Sequence, residues 1–445
     1  MLKYLFRQIF ISPISLVIME LERFNAGDKV RLKLAKEEID GTFLESSDGS
    51  IVLLKLDSGY NIGIVKENIL AGRVLEKYKK EDKEEEKEIE VKSEKKKGLK
   101  NIGLVITGGT IAAKFDSKTG GVHWLTDAKE FMQFYPEISE KANVVKIKVP
   151  FMTASESMTW EHWLRIAESV EELLDDDEIE GVIVTHGTDF IGYTSAALGF
   201  FLKNINKPVV LTYSQRSIDR ASSDAHLNIE CAVQMALSDC AEVMLVGHAT
   251  TNDDYCYALL GSKVRKMHSS RRDAFKPVNT EPIARVYPDK IEFLKAYKKK
   301  STKKTELDKD HTDKVALVKF YPGQDSSILD FYALKYKGIV VEVSGLGHLP
   351  VGEAKNNWIP KLKKLIKEGF VVCAAAQTIN GRLDPLVYSN GRELIDAGVI
   401  FLEDMLAETA FVKLGFVLGH YGWKKNVKEK MLENMAGELN ERLVE

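Results

Sequence analysis

The chain has 445 residues, room for about two to four domains at roughly 150 residues each. Lys and Arg number 63 against 66 Asp and Glu, a net charge of -3, which excludes the basic footprint of an independent nucleic-acid binder. Any RNA would therefore be gripped by another chain. Cys231, Cys240, Cys256 and Cys373 form no CxxC pair, which fits a reducing cytosol. The nine histidines form no HExxH or HxxxH pair, so no metal is expected.

Residues 1–18, MLKYLFRQIFISPISLVI, form an apolar stretch interrupted by Pro13. It is shorter than the ~20 residues that span a bilayer, and no small-residue cleavage site follows. A weak signal anchor is one reading; a start at Met19 with an artefactual extension is the one we expect. Across 19–75 the runs VRLKL, GTFLES, IVLLKL and YNIGIV alternate, with Asp48-Gly49 and Ser58-Gly59 between them. Strand-length runs joined by such turns predict a small SH3-like or Sm-like β-barrel, a scaffold that binds peptides, RNA or other subunits with equal ease. Residues 76–100 are mostly Lys and Glu and cannot bury a core, so they read as a solvated linker.

From Asn101 the pattern changes to buried strands alternating with helices: NIGLVI, VVKIKV, GVIVT, PVVLTY and EVMLVG. A helix from Thr159 places Trp160, Trp163, Ile166, Ala167, Val170 and Leu173 on one stripe, a core face. This predicts an α/β lobe over 101–296 with a parallel sheet covered on both faces. Residues 297–314 are Lys-rich and read as a strandless interlobe linker. VALVKF, GIVVEV and FVVCAA then predict a smaller α/β lobe over 315–440, with turns at 344–350 and 377–382.

Chemistry concentrates where strands end. Val182-Ile183-Val184 runs into Thr185-His186-Gly187-Thr188-Asp189, so a hydroxyl and a carboxylate stand at the carboxyl end of a buried strand. Either residue could instead do no more than cap the next helix. Gly108-Gly109-Thr110 ends another strand, and neither GxGxxG nor GxxxxGK[ST] is present, which makes a nucleophilic threonine a better reading than a phosphate cradle. Residues 113–122, with Gly120-Gly121, would suit a lid. A threonine hydroxyl needs a base or a positioned charge to attack. Lys263, Lys266 and Lys276 are candidates, although the ordinary reading of each is a surface charge.

Together these motifs resemble the asparaginase and glutaminase family that uses an internal threonine as nucleophile. Thr107-Gly-Gly-Thr-Ile111 is similar to its first signature and His186-Gly-Thr-Asp189 to its second, while Phe275-Lys-x-Val-Asn279 aligns the family's lysine with Lys266. The resemblance implies a two-lobed parallel-sheet body over about 101–439. It also implies that Thr110 attacks the side-chain amide to form an acyl-enzyme, with Thr188, Asp189 and Lys266 in a cluster that orients and deprotonates a threonine; either threonine can be the first to attack. Backbone N–H groups by Gly109 and Gly187 would stabilise the oxyanion. Asp189 would also meet the substrate's α-ammonium. Ser155 would hold the substrate's α-carboxylate and Glu156 its α-ammonium. Glu156 stands where dedicated asparaginases have glutamine, which favours the longer substrate. The lid lacks the family's tyrosine, with Phe115 its nearest aromatic.

A barrel ahead of such a body, with residues 221–228, 345–348 and the Gln377 region, resembles the D subunits of archaeal glutamyl-tRNA(Gln) amidotransferases. That resemblance implies glutamine hydrolysis, with ammonia passed to an E subunit that binds Glu-tRNA(Gln) and uses ATP and Mg. This chain itself would need no cofactor. It further implies a cytoplasmic heterodimer, doubled through a homodimer of this chain. A stand-alone cytosolic asparaginase is the alternative, and the barrel argues against it; an inactive RNA-binding scaffold would not be expected to keep all four reactive residues.

Overall fold

The computed structural model describes residues 21–442 apart from 22, 45, 47, 57–60, 78–94, 116–121, 125–130, 133, 219 and 221. The 1–18 extension, most of the charged linker and the centre of the lid lie outside the described residues. The chain forms two compact units.

The first is built on five antiparallel strands: β1 (Lys29–Lys33), β2 (Glu38–Leu44), β3 (Ile51–Lys55), β4 (Asn61–Val65) and β5 (Ala71–Glu76). They run in the order β4-β3-β2-β1-β5, which fits a small β-barrel-like domain. Alternation sends Val30, Leu32, Val52, Leu54 and Ile64 to one small core, closed by Leu21, Phe24 and Ile69. Asp28, also buried, pairs with Lys77 at 2.8 Å.

The second unit begins with β6 (Asn101–Ile106). The short hairpin that follows in the chain, β7 (Ala113–Phe115) with β8 (Val122–Trp124), belongs to the first unit. Then come α1 (Pro136–Lys141), β9 (Asn143–Lys148), α2 (Trp160–Leu174), β10 (Ile179–Thr185), α3 (Ile191–Phe201), β11 (Leu202–Lys203), β12 (Val209–Thr212), α4 (Ala225–Ala236) and β13 (Val243–His248). Strands β9, β6, β10, β12 and β13 are parallel neighbours. The α2 stripe buries Trp163, Ile166, Ala167, Val170 and Leu173, while Trp160 at its start is half-buried. Helix α2 packs on β6 and β10 and carries α3 beside it, and α4 packs on β10, β12 and β13 with α1 beside it.

The sheet is not purely parallel. Beyond β13 it continues antiparallel through β14 (Cys256–Leu260), β17 (Ala284–Val286) and β18 (Ile291–Phe293), with the hairpin β15 (Val264–Lys266) and β16 (Phe275–Pro277) between β14 and β17 in the chain. These strands are three to five residues long, too short to announce a period in the sequence. Nor is 297–314 strandless. Within it β19 (Glu306–Leu307) pairs with β11, and Lys299 bridges Cys240, so this segment is fastened to the larger lobe rather than running free between the lobes.

The smaller lobe is a parallel sheet of β20 (Val315–Lys319), β21 (Gly338–Val343), β22 (Val371–Ala376) and β23 (Ile400–Phe401) in chain order. It carries α5 (Ile328–Lys335), α6 (Ile359–Lys367), α7 (Ser389–Asp396), α8 (Ala407–Gly419) and α9 (Val427–Leu432). Helix α8 packs on both lobes, against α3 on one side and β20, β21 and β22 on the other.

A buried ion pair also joins the lobes. Lys263, fully buried and not the surface charge its type suggests, donates to Asp404 at 2.5 Å, and neither side chain is exposed at all. Asn440 donates to Asp404 as well, through its backbone (3.0 Å) and its side chain (2.7 Å). Asn279 spans the junction, donating to the Asp404 carbonyl and exchanging two bonds with Gly381. Removing one partner strands a charge where water cannot reach it. Lys263→Met should lower the unfolding free energy by roughly 3–5 kcal/mol, and adding Asp404→Leu should recover part of the loss. Denaturant titration of the three proteins decides this; a single variant as stable as the parent would contradict it.

Candidate active site

In the order β9-β6-β10 the chain goes from β6 to one neighbour and then to the other, which makes the carboxyl ends of these strands a topological switch point. Three turns meet there. Thr107, at the end of β6, donates its hydroxyl to the Thr185 carbonyl at 2.8 Å and its N–H to the same oxygen at 3.3 Å. Its own carbonyl accepts the Thr153 N–H at 3.1 Å, which ties in the turn after β9.

Gly109 then takes φ +78°, and a Cβ there would lie 2.4 Å from the Gly187 nitrogen and 2.5 Å from its Cα. Only glycine permits that approach. It brings the backbone ahead of Thr110 against the backbone ahead of Thr188. Thr110 opens a single 3₁₀ turn over Thr110–Ala112, in which the Ala112 N–H donates to the Gly109 carbonyl at 3.0 Å. Ser155, on another 3₁₀ turn, is buried against Gly187 and accepts the Phe190 N–H at 3.4 Å. Glu156, next along, is exposed. Ser155, Glu156, Trp160, Phe190, Tyr193 and Phe411 line part of a cavity of about 360 Å³.

Of the three candidate lysines, only Lys266 reaches a reactive hydroxyl. It ends β15, and pairing with Phe275 on β16 holds it in extended backbone. Its Nζ donates to Thr188 Oγ1 at 2.8 Å and to Asp189 Oδ1 at 2.7 Å. The Lys266 side chain is 13% exposed and that of Asp189 60%. So open an ion pair contributes about 1 kcal/mol or less to stability, which makes its proton chemistry the more telling property. In its neutral form an amine held between a hydroxyl and a carboxylate can take up a proton from the first while the second offsets the charge gained. Lys276 is spent on Asp273 (3.0 Å) and the Ala249 carbonyl (3.1 Å).

His186 is a site residue to which the sequence pattern assigns no role. Its ring is fully buried, and burial pushes its pKa down to about 4, so it is neutral. Nδ1 lies 2.8 Å from the Gly187 carbonyl, an acceptor only, and Nε2 lies 2.9 Å from Thr194 Oγ1. Nδ1 therefore carries the proton, and the Thr194 hydroxyl donates to Nε2. Nothing in the sequence spacing reveals this, because Thr194 sits one turn inside α3.

Other singled-out motifs hold loops. Asp224 accepts the Gln215 and Arg216 N–H groups, and Asn228 joins it to the Tyr213 carbonyl and to His248. Gln377 donates to the Phe320 and Glu342 carbonyls, tying β22 to the ends of β20 and β21. All four cysteines are free and buried. Among the described residues one group, Asp308, Asp310 and His420, offers ligand atoms within 4.8 Å of one another, and Lys203 already pairs with Asp308.

Two outcomes follow from this geometry. Gly109→Ala should lower amide hydrolysis at least about 100-fold, since the added methyl must push the two turns apart, while circular dichroism stays native; retained activity would refute the packing argument. The second concerns pH. In the unfolded chain His186 protonates near 6.5, in the folded one only near 4, so between these values the unfolded state binds more protons. The stabilisation is complete above about 6.5 and is lost as pH falls toward 4, by roughly 3 kcal/mol. His186→Asn should flatten this part of the stability-against-pH curve, and denaturant titrations at about pH 7 and about pH 4.5, on either side of most of that window, measure it.

Comparison with known proteins agrees with this architecture. Residues 101–299 match the family model for Asparaginase, N-terminal, and 314–431 that for the Glutaminase/Asparaginase C-terminal domain; 24–75 match the GatD N-terminal domain. The chain is 46% identical over 431 residues to the D subunit of glutamyl-tRNA(Gln) amidotransferase from Thermococcus kodakarensis, covering 95% of this chain and 96% of that protein. It is 48% identical over 425 residues to the D subunit from Pyrococcus abyssi, covering 93% and 95%. The thermostable L-asparaginase from Thermococcus kodakarensis superposes with a TM-score of 0.70 at 28% identity, covering 77% of this chain and 100% of that one. Sheet, turns and sequence together place the chain in the asparaginase family, within its branch of glutamyl-tRNA(Gln) amidotransferase D subunits.

Proposed function

We propose that this chain is the glutaminase subunit of a tRNA-dependent amidotransferase: it hydrolyses glutamine to glutamate and ammonia, which a partner uses to convert Glu-tRNA(Gln) to Gln-tRNA(Gln). The observation that carries the chemistry is Lys266 Nζ bridging Thr188 Oγ1 and Asp189 Oδ1 where Gly109 meets Gly187. The kinship with D subunits carries the biological setting.

In this reading Thr110 Oγ1 attacks the glutamine side-chain carbonyl. With Lys266 acting as the neutral amine, the proton passes to its Nζ by way of the Thr188 hydroxyl, and Asp189 offsets the charge formed. The Thr110 and Thr188 N–H groups donate to the oxyanion, each worth ~3 kcal/mol in the transition state. Collapse breaks the C–N bond, the nitrogen leaves as ammonia with the relayed proton, and water then cleaves the Thr110 ester to release glutamate. Ser155 holds the α-carboxylate, while Glu156 and Asp189 meet the α-ammonium. ATP and Mg belong to the partner, the E subunit, which also binds the tRNA. A net charge of -3 supports that division. The working assembly is cytoplasmic, a homodimer of this chain with a partner on each copy.

The test is ammonia release from glutamine and from asparagine, with and without the E subunit and charged tRNA. Glutamine turnover that rises with partner and tRNA supports the reading; brisk partner-independent asparagine turnover would replace it with a free asparaginase. Thr110→Ala and Lys266→Met should each lower kcat by roughly 10³-fold or more with native circular dichroism. Deleting residues 1–75 should leave glutamine hydrolysis in place and impair transamidation by the complex.

A further inference from the structure

His186 stands directly between β10 and the reactive turn, yet its ring cannot reach a substrate. It is fully buried and both nitrogens are engaged. What it does is hold a peptide group. The Gly187 carbonyl and the Thr188 N–H belong to one trans peptide unit, so they point in opposite directions. With the carbonyl fastened inward to Nδ1–H at 2.8 Å, the Thr188 N–H is turned the other way, out of the core. The same arrangement recurs in the facing turn. There the Gly109 carbonyl accepts the Ala112 N–H at 3.0 Å, which turns the Thr110 N–H of the same peptide unit away from that turn. Two carbonyls are fastened, one by a backbone turn and one by an imidazole, and two N–H groups are thereby presented.

We infer that His186 is a positioning residue for the oxyanion site: its Nδ1–H, kept on that nitrogen by the Thr194 hydroxyl at Nε2, fixes the Gly187–Thr188 peptide so that the Thr188 N–H faces the developing negative charge. The inference rests on the amide-hydrolysis reading above. Packing against Gly109 and Ser155 places Gly187, and the bond to Nδ1 sets which way its carbonyl faces. Glycine has the widest choice of conformations, and an unfastened Gly187 carbonyl could rotate toward the site and present an acceptor where a donor is needed.

The experiment separates the two ring nitrogens. An asparagine side chain places its amide nitrogen where Nδ1 stands, and a glutamine side chain places its own near Nε2. His186→Asn therefore keeps a donor for the Gly187 carbonyl, and His186→Gln does not. Relative to wild type, His186→Gln should lose roughly 100-fold in kcat, the effect of one oxyanion donor, with KM changed less than about threefold. His186→Asn should retain kcat within about tenfold of wild type, because the donor survives. Thr194→Val, which keeps the shape and removes the hydroxyl that selects the tautomer, should lower kcat in the same sense without raising KM. Thermal melts of all four proteins accompany the kinetics.

Equal loss in the Asn and Gln variants, tracking their melting temperatures, would reduce His186 to a packing residue and overturn the inference. So would an unchanged kcat in both Gln and Val variants. Should His186→Gln fail to fold, Thr194→Val and His186→Asn still decide, since the first is predicted to lower kcat and the second to keep it within about tenfold; should His186→Asn fail, a kcat in His186→Gln and Thr194→Val that stays unchanged, or that falls only with their melting temperatures, overturns the inference. If the wild-type chain hydrolyses asparagine and not glutamine, the substrate reading fails while the comparison is made on asparagine, whose amide develops the same oxyanion.

Discussion

A methyl group on Gly109 would lie 2.4 Å from the Gly187 nitrogen, and from that contact the site takes its form. Two parallel strands end about 4.8 Å apart by the ordinary spacing of a sheet, and side chains on the turns that follow would normally splay them. Here the turns touch backbone to backbone. Thr110 and Thr188, each one residue beyond the contact, are thereby anchored to the same point, and Ser155 packs against that point from the third turn. Rigid strands set the positions, so the reactive groups need little ordering when substrate arrives.

The stabilising charges lie elsewhere. Lys263 with Asp404 and Lys413 with Glu438 are ion pairs without exposure on either side, and burial pulls both lysines below their ordinary pKa while the facing carboxylates pull them back up. Lys266 with Asp189 is open to water and contributes little to folding. The molecule thus separates structural charges from reactive ones by depth. Lys263 and Lys266, the same type of residue within one turn-and-strand segment, serve the two purposes.

Much of this was legible from residues alone. Val182 to Val184 are β-branched and uniformly buried, so the strand and its polar end announced themselves, and the α2 stripe read as a core face because its period held along the helix. The two threonine turns carried signatures specific enough to identify their family. What stayed hidden was set by tertiary contact. The antiparallel strands β14, β17 and β18 are short, and β19 is two residues that become a strand only because β11 lies alongside. Lys263 looks like any surface lysine until Asp404, 141 residues away, is placed beside it. His186 and Thr194 form a pair only once β10 and α3 have taken up their turn.

The clamp between the lobes bears on how the protein comes apart. Asn279 binds Gly381, Asp404 and Asn440 across the junction, and the fastened segment around β19 runs along the larger lobe. A protease cutting within 297–314 would sever the chain without freeing either lobe. Separated halves would each carry an unpaired buried charge and a bare face of α8 or α3. In unfolding and turnover the two lobes therefore count as one cooperative body, even though each has a sheet of its own.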